Sequence, residues 1–490
     1  MGKKKNKNKV SGAVKTAAKT DKKLANKLKK ELANLGEEDI AKVIAEIERE
    51  EAKRSAATEK PLLGPPTPRA YATFTPHPTK DELIMFGGEY HNGQQTEVYN
   101  ELLFYNPTNN TWKQLKAPGA PPPRSAHQAV ATPANKGELW IFGGEFTSPS
   151  ETQFHHYKDL WCFSLADKKW EKVVAKDGPS PRSGHRMALV GRRLIVFGGY
   201  ADDGRECRYF DDLYAFCLDT RSWSKVVVSG RGPSARSACV LFPVGSDGIL
   251  VYGGFSRVRE GRTERTNTHT DLFKLSGRSS GALAWRSLCG GVRAPAARAG
   301  QAAASAHGRG YVFGGVSDVE ETEEELRGEM SDELLMLDLE TGKWHSVTLK
   351  GDKVATDSAI ASGVQESEEK KEEAVTVVTD EVFTMKLGSA PAAAARPAER
   401  TAGTEPRRGP TPRMSAMMAI QKSTLYLYGG VLEKEDKQFY LSDMYSLDLH
   451  KLTEWKTLIE QPPLPTWLGS DSECDSESGS ETDDSESDDD

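Results

Sequence analysis

Six arginines and six acids recur along this chain at matched spacing, and their chemistry is weighed first. Each arginine closes a P-x-x-R element: Pro66/Arg69, Pro121/Arg124, Pro179/Arg182, Pro233/Arg236, Pro295/Arg298 and Pro410/Arg413. Each acid precedes an apolar residue: Glu101-Leu102, Asp159-Leu160, Asp212-Leu213, Asp271-Leu272, Glu333-Leu334 and Asp443-Met444. The arginines either form a positive ring for an acidic peptide or pair with the acids between strands. Ion-pair networks also arise for structural reasons. A residue type present in every unit belongs to the scaffold, so pairing is expected. His127 and His185 follow their arginines by three, where the other units hold Ala72, Cys239, Gln301 and Ala416. Two histidines without further ligands read as polar packing rather than a metal site.

These residues sit on a repeat. Apolar runs end in Gly-Gly at Gly87-Gly88, Gly143-Gly144, Gly198-Gly199, Gly253-Gly254, Gly314-Gly315 and Gly429-Gly430, 16 to 19 residues after each arginine. A tryptophan follows each pair: Trp112, Trp170, Trp223, Trp285, Trp344 and Trp455. Short β-prone runs stopped by glycine read as strands. Each unit therefore predicts four antiparallel strands. One such sheet cannot bury both faces alone, and stacking six around an axis solves this. The glycines allow unusual backbone angles, and the tryptophan supplies an apolar body between neighbours.

Gly-Gly plus a spaced Trp at about fifty residues per unit resembles the kelch signature. The start MGKKKNK, the runs DELIMFGGEYHNGQ, HYKDLW and PRSGHRM, and the acidic, serine-rich end resemble the kelch domain-containing protein 4 family. That resemblance covers nearly the whole chain. It implies a propeller that binds proteins and has no established activity. The expected fold is all-β: a six-bladed kelch β-propeller over residues 61–460, a short N-terminal helix and disordered charged tails at 1–60 and 461–490. The 66-residue step from Trp344 to Pro410, against 9 or 10 at the first four junctions, marks an insert at 346–409. Within it, 376–388 has the composition of a strand or two, but no Gly-Gly and no Trp, so it is read as an excursion between blades 5 and 6.

Function is expected where the units differ. Antiparallel order puts the P-x-x-R elements and the segments after Gly-Gly on one face. Those segments are long and unlike: 89–100 carries Tyr90 and His91, 145–158 carries His155 and His156, and 200–211 carries Arg205, Arg208 and Tyr209. The stretch 255–270 carries Arg257, Arg259, Arg262 and Arg265, and 316–332 is rich in glutamate. Aromatics and arginines on loops of a rigid scaffold suit partner binding. These eleven residues are the candidate contacts for a protein partner of unknown identity.

Composition narrows the classes. The 490 residues have a net charge of −7 and mean hydropathy of −0.59, low for a chain folded throughout. Residues 1–30 hold twelve lysines against Asp21 alone, whereas 470–490 hold eleven acids and no base. The basic arm suits import or weak nucleic-acid contact but has no aromatic for base stacking. Ile40, Val43, Ile44 and Ile47 fall at helical spacing within 37–54 and predict a short amphipathic helix. In the tail, Ser470, Ser472, Ser478, Ser480, Ser485 and Ser487 each have an acid three residues on, which suits an acid-directed kinase and suggests a regulated tail that folds back on basic loops. Six scattered cysteines without a CxxC pair argue against disulfides or zinc. No apolar run reaches a membrane span and no secretory signal is evident. A monomer in cytoplasm or nucleus is the expectation.

No P-loop, GxSxG or HExxH motif occurs. A non-enzymatic scaffold without metal or cofactor is expected. The alternatives are a ubiquitin-ligase substrate receptor, for which the roughly sixty residues before blade 1 are short of a usual adaptor module, and a metal-dependent or hydrolase-like propeller using His155 and His156.

Overall fold

The computed structural model describes residues 39–202, 206–260, 263–277, 283–289, 295–320, 326–350, 378–380, 383–385, 409–434 and 437–469. Six antiparallel sheets surround an axis. From the axis outward, blade 1 is Thr73–Pro76, Leu83–Phe86, Leu102–Asn106 and Thr111–Lys116. Blade 2 is Gln128–Thr132, Glu138–Phe142, Leu160–Ser164 and Lys169–Val173, and blade 3 is Arg186–Val190, Arg193–Phe197, Leu213–Cys217 and Ser222–Lys225. Blade 4 is Val240–Val244, Gly248–Tyr252, Leu272–Gly277 and Leu283–Leu288. Blade 5 is Ala302–Ala306, Arg309–Phe313, Leu334–Asp338 and Trp344–Ser346. Blade 6 is Met417–Gln421, Thr424–Lys434, Lys437–Asp448 and Lys456–Ile459. Each innermost strand lies beside those of the two adjoining blades, and those of blades 1 and 6 meet, so the ring is closed.

Burial explains the strand composition. In Leu83–Phe86 every residue is buried, because both faces of a blade meet a neighbour. Strands covered on both faces carry continuous apolar runs rather than alternation. Each tryptophan then packs on the aromatic that precedes Gly-Gly in the preceding blade. Trp170 lies 5.3 Å from Phe86, Trp223 5.3 Å from Phe142, and Trp285 5.9 Å from Phe197. Trp344 lies 4.7 Å from Tyr252 and Trp455 6.0 Å from Phe313. Trp112 of blade 1 lies 5.8 Å from Tyr428 of blade 6, so the same pair closes the ring. Such ring pairs add about 0.5–1.5 kcal/mol each beyond their buried area.

The glycine pair makes the joint possible. Gly144 donates its amide to the Arg182 carbonyl of the next blade at 2.9 Å, and Gly143 has φ +63°. A Cβ on Gly143 would stand 2.7 Å from that same carbonyl oxygen. Only glycine allows both the left-handed angle and so close an approach.

The chain ends reach further into the fold than the expected boundaries at 60 and 461. The helix α1, Ile40–Ala52, forms with Asp39 capping its N-terminus. Its Ile40 and Ile44 are buried against Phe146 and Tyr157 of blade 2, and Glu48 pairs with Lys172 at 3.0 Å. Its apolar face is therefore covered by the propeller. Thr58–Pro61 pairs with Thr111–Lys116 as a fifth, outermost strand of blade 1. After blade 6, the chain crosses to blade 1, where Leu468 donates to the Asn92 carbonyl and Trp467 lies 5.7 Å from His91. In the insert, Val378–Asp380 and Phe383–Met385 pair as a separate hairpin outside the six blades. Most of 346–409, all of 1–38 and the six tail serines lie outside the described residues.

Candidate functional site

The repeated arginines prove to be internal. Arg413 donates to both oxygens of Asp443 at 2.6 and 2.8 Å and to the Gly429 carbonyl at 3.0 Å. Arg124 makes the same bonds to Asp159 and Gly143, and Arg182 to Asp212 and Gly198. Arg236 pairs with Asp271, and Arg69 reaches Glu101 at 2.7 Å. All five side chains are buried. Burial would push the Asp159 carboxyl up, but the Arg124 guanidinium and its hydrogen bonds hold it below the usual range. The arginines thus tie the start of each blade to its third strand and offer no positive ring to a ligand. His127 and His185 also serve packing: they stand edge-on to Phe86 and Phe142 at 5.4 and 5.2 Å.

The segments after Gly-Gly are not open loops. Glu89–His91 pairs with Thr96–Val98, Glu145–Thr147 with Phe154–His156, and Tyr200–Asp202 with Cys207–Tyr209. Phe255–Glu260 pairs with Thr263–Thr268 and Val316–Glu320 with Leu326–Met330. In blade 6 the two middle strands run on as one hairpin across Gly429-Gly430. Six hairpins therefore crown one face.

Several expected contact residues tie these hairpins together. Tyr90 packs edge-on to Tyr440 at 5.8 Å, joining blades 1 and 6. His91 bonds Thr96 at 2.8 Å and stands 3.4 Å from Glu151, joining blades 1 and 2. His156 meets Tyr200 at 5.4 Å, and Tyr209 meets Phe255 at 6.3 Å, joining blades 2–3 and 3–4. His155 packs on Tyr157 at 4.9 Å, and burial lowers its pKa. Arg208 is exposed, with its guanidinium 5.5 Å from the Phe210 ring, and Arg257 and Arg265 are exposed on the blade 4 hairpin. Arg259 lies on that hairpin's backbone, and Arg205 and Arg262 lie outside the described residues. The face also exposes Phe154 (52%) and Val258 (45%), two apolar residues on hairpins 2 and 4.

A central cavity of about 430 Å³ is lined by the innermost strands and by the first residues of hairpins 1 to 3. Tyr71, Ala126, Gly184, Ala238, Gly300 and Ser415, each two residues after a repeat arginine, all have left-handed φ and line it. Their peptides link around the axis: Ala126 donates to Tyr71 at 2.9 Å, Gly184 to Ala126 at 3.0 Å, and Ala238 to Gly184 at 2.9 Å. Glu89 and Glu145, the first residues after Gly-Gly in blades 1 and 2, face this cavity. Tyr200 donates to Glu145 at 3.0 and 3.1 Å and Ser183 at 3.0 Å, while Tyr440 donates to Glu89 at 3.3 Å. Channel walls surround the Glu145 carboxyl, although 13% of the side chain still meets solvent. Burial and the neighbouring Glu89 charge push it up to about 7, against the lowering effect of Ser183 and Tyr200. Burial raises Glu89 as well. Neither acid stood out in the repeat, because other units carry tyrosine, phenylalanine or valine there.

Glu145, Ser183 and His156 have the composition of a hydrolytic triad but the opposite polarity. The Asp202 amide donates to His156 Nε2 at 3.0 Å, so in the neutral ring Nδ1 carries the proton. Nδ1 lies 2.7 Å from Ser183 Oγ, which in turn donates to Glu145. Burial drives His156 down to about 4. The imidazole therefore cannot take the Ser183 proton, and Ser183 is itself buried. Among the described residues no group of three or more His, Cys, Asp or Glu is placed to hold a metal ion, and no helix is long and apolar enough to cross a membrane.

Residues 71–275 match the KLHDC2/KLHL20/DRC7 Kelch-repeats domain. Residues 71–275 of this six-bladed propeller therefore form a kelch-repeat domain. Among curated relatives, Kelch domain-containing protein 2 of Bos taurus is 28% identical over 194 residues, 36% of this chain and 46% of that protein. Host cell factor of Drosophila melanogaster is 27% identical over 321 residues, 59% of this chain and 20% of its own. Multiple epidermal growth factor-like domains protein 8 of Homo sapiens is 31% identical over 245 residues, 48% of this chain and 8% of its own. The chain thus spans less than half the length of each of these relatives. The solved structure of YjhT aligns with 81% of this chain and 99% of its own at 15% identity, with a TM-score of 0.49. The kelch propeller is a protein-interaction fold.

Proposed function

We propose that this kelch propeller is a non-enzymatic scaffold that engages a protein partner through its hairpin face. One observation carries the reading: six hairpins of unlike sequence crown one face, and those of blades 3 and 4 present Arg208, Arg257 and Arg265 to solvent beside the exposed Val258. Arginine next to exposed apolar surface suits an acidic partner with an apolar anchor. The reversed polarity of the His156–Ser183–Glu145 chain supports the non-enzymatic reading. The lysine-rich start, the quoted runs and the acidic end support a place in the kelch domain-containing protein 4 family, with a monomer in cytoplasm or nucleus and phosphorylation of the tail serines.

The test is affinity purification with the parent chain and the triple variant Arg208→Glu/Arg257→Glu/Arg265→Glu. Loss of a defined partner supports the hairpin face as its site. An unchanged partner set overturns it. A second reading, a substrate-recognition subunit of a ubiquitin ligase, is favoured by the match to the KLHDC2/KLHL20/DRC7 domain. It requires a ligase component among the purified proteins.

A further inference from the structure

The central cavity holds one cation that the repeat does not explain. The innermost strands begin at Thr73, Gln128, Arg186, Val240, Ala302 and Met417, and Arg186 alone of these carries a charge. A residue type found in a single unit serves no joint that recurs six times. Arg186 lines the cavity half-buried, and its Nε donates to the Cys239 carbonyl in blade 4. Arg182, four residues earlier, is held by Asp212 at 2.6 Å. Arg186 has no such partner: among the described residues no carboxylate stands within ion-pair distance of it, and nothing accepts from its two terminal nitrogens. Burial pulls it below its ordinary pKa, yet a guanidinium stays charged at the pH of the cell. A buried charge left unpaired is destabilising, so its place on a cavity wall points to a ligand.

The surroundings suit an anion with an apolar body. Gln128 holds the equivalent place in blade 2 and also lines the cavity. One N–H of its amide goes to the His127 carbonyl at 3.0 Å, which leaves a second donor. One residue further along the six strands, Phe74, Ala129, Met187, Leu241, Ala303 and Met418 form an apolar collar on the same cavity. Glu89 and Glu145 share the space, but burial raises both carboxyls, so they oppose an anion less than ordinary carboxylates would. His127, which burial keeps neutral, adds no charge. The volume falls within the range of about 300–1,000 Å³ typical of small-molecule sites.

We propose that the central cavity binds a small organic monocarboxylate, its head on the Arg186 guanidinium and its body against the apolar collar. Two terminal nitrogens in one plane match the two oxygens of a carboxylate. A single guanidinium balances a single negative charge, which favours a monocarboxylate over a doubly charged phosphate. This inference goes beyond the hairpin-face reading and does not rest on it, because its site is the axis and its ligand is a small molecule.

The experiment is calorimetry on the full chain with octanoate as the probe. Its uncharged and cationic counterparts, 1-octanol and 1-octylamine, share the body and change the head. Octanoate is expected to bind at least about tenfold more tightly than either. Arg186→Gln should weaken octanoate at least about tenfold and leave 1-octanol within about twofold, whereas Arg186→Lys should keep the preference for octanoate. Because no acid loses a partner, Arg186→Gln should unfold in urea at or above the parent's midpoint. Octanoate should raise the thermal midpoint of the parent and not that of Arg186→Gln. Absence of octanoate binding at about 1 mM, equal binding of octanoate and 1-octanol, or unchanged octanoate binding in Arg186→Gln overturns the proposal. Loss of cooperative unfolding in Arg186→Gln would make the arginine a structural tie between blades 3 and 4, and also overturns it.

Discussion

The amide of Gly430 in the last blade donates to the carbonyl of Arg69 in the first at 3.1 Å. The same bond joins blades 1–2, 2–3, 3–4 and 5–6. The ring therefore closes without exchanging a strand between blades. Each unit owns its four strands, and the segment before Arg69 assists: the Tyr428 hydroxyl of blade 6 donates to the Pro66 carbonyl at 2.9 Å. Lys422 and Asp81, at 2.7 Å, add an exposed pair on the same joint.

Arg413 and Asp443 form the most enclosed of the repeated pairs, with side chains 0% and 2% exposed. Removing one partner strands a buried charge. Arg413→Ala should cost about 3–5 kcal/mol in urea unfolding. Arg298 and Glu333 make a single 3.0 Å contact, with Glu333 42% exposed, and Glu333→Ala should cost under about 1 kcal/mol. Equal losses would show that burial does not set the cost.

Trp112 is buried between blades 6 and 1, whereas Trp455 is only half-buried. Trp112→Ala should cost about 3–5 kcal/mol. Trp455→Ala should cost visibly less. The pair of denaturation midpoints checks whether the closing joint is packed as tightly as the burial implies.

Gly143 and Gly245 share a left-handed φ, +63° and +61°, but not their surroundings. No atom lies within 4 Å of a Cβ on Gly245. Gly245→Ala should therefore cost about 1–2 kcal/mol from the backbone alone. Gly143→Ala adds a collision with the Arg182 carbonyl and should exceed about 3 kcal/mol. Thermal unfolding of the two variants side by side reads the difference.

His127 and His185 set the acid limb of stability. Burial holds His127 down to about 3 and His185 well below its ordinary value, with the Arg124 and Arg182 charges reinforcing each. Between those values and the unfolded pKa of about 6.5, the unfolded chain binds protons that the folded one refuses. Stability should fall as pH drops through that window, by about 1.4 kcal/mol per pH unit per histidine. Gln301 occupies the equivalent place in blade 5 and is buried, so His127→Gln/His185→Gln should fold and flatten the limb. A limb of unchanged slope would assign acid sensitivity elsewhere.

Glu145 acts with the opposite sign. Its folded pKa, about 7, lies above the ordinary carboxyl value, so the stability it contributes is present at low pH and lost as pH rises through 7. The groups that face it are Glu89, Asp202, His156, Ser183 and Tyr200. Glu145→Gln should therefore be more stable than the parent at pH 8 and indistinguishable from it near pH 4. Urea titrations at the two pH values check this.

The sequence by itself determined the number of blades and their internal order. Gly-Gly, the arginine, the acid and the tryptophan recur because each serves a joint that recurs, and a periodic demand leaves a periodic trace. That is why Arg124 and Asp159 could be paired before any coordinates, and Trp170 placed between blades. The tertiary structure alone decided the rest. The aromatics Tyr90 and Tyr209 looked like free contacts because residue type does not say which side chains a neighbouring hairpin covers. Glu89 and Glu145 were silent because their raised pKa values come from burial at the channel mouth, on adjoining hairpins 56 residues apart in sequence. The helix at 40–52 was legible, but what covers it, and where 58–61 and 461–469 dock, was not, because their partners, Phe146, the Thr111–Lys116 strand and Asn92, are distant in sequence. A single apolar stripe or a short polar run shows that a surface can be covered, and only the folded ring supplies what covers it.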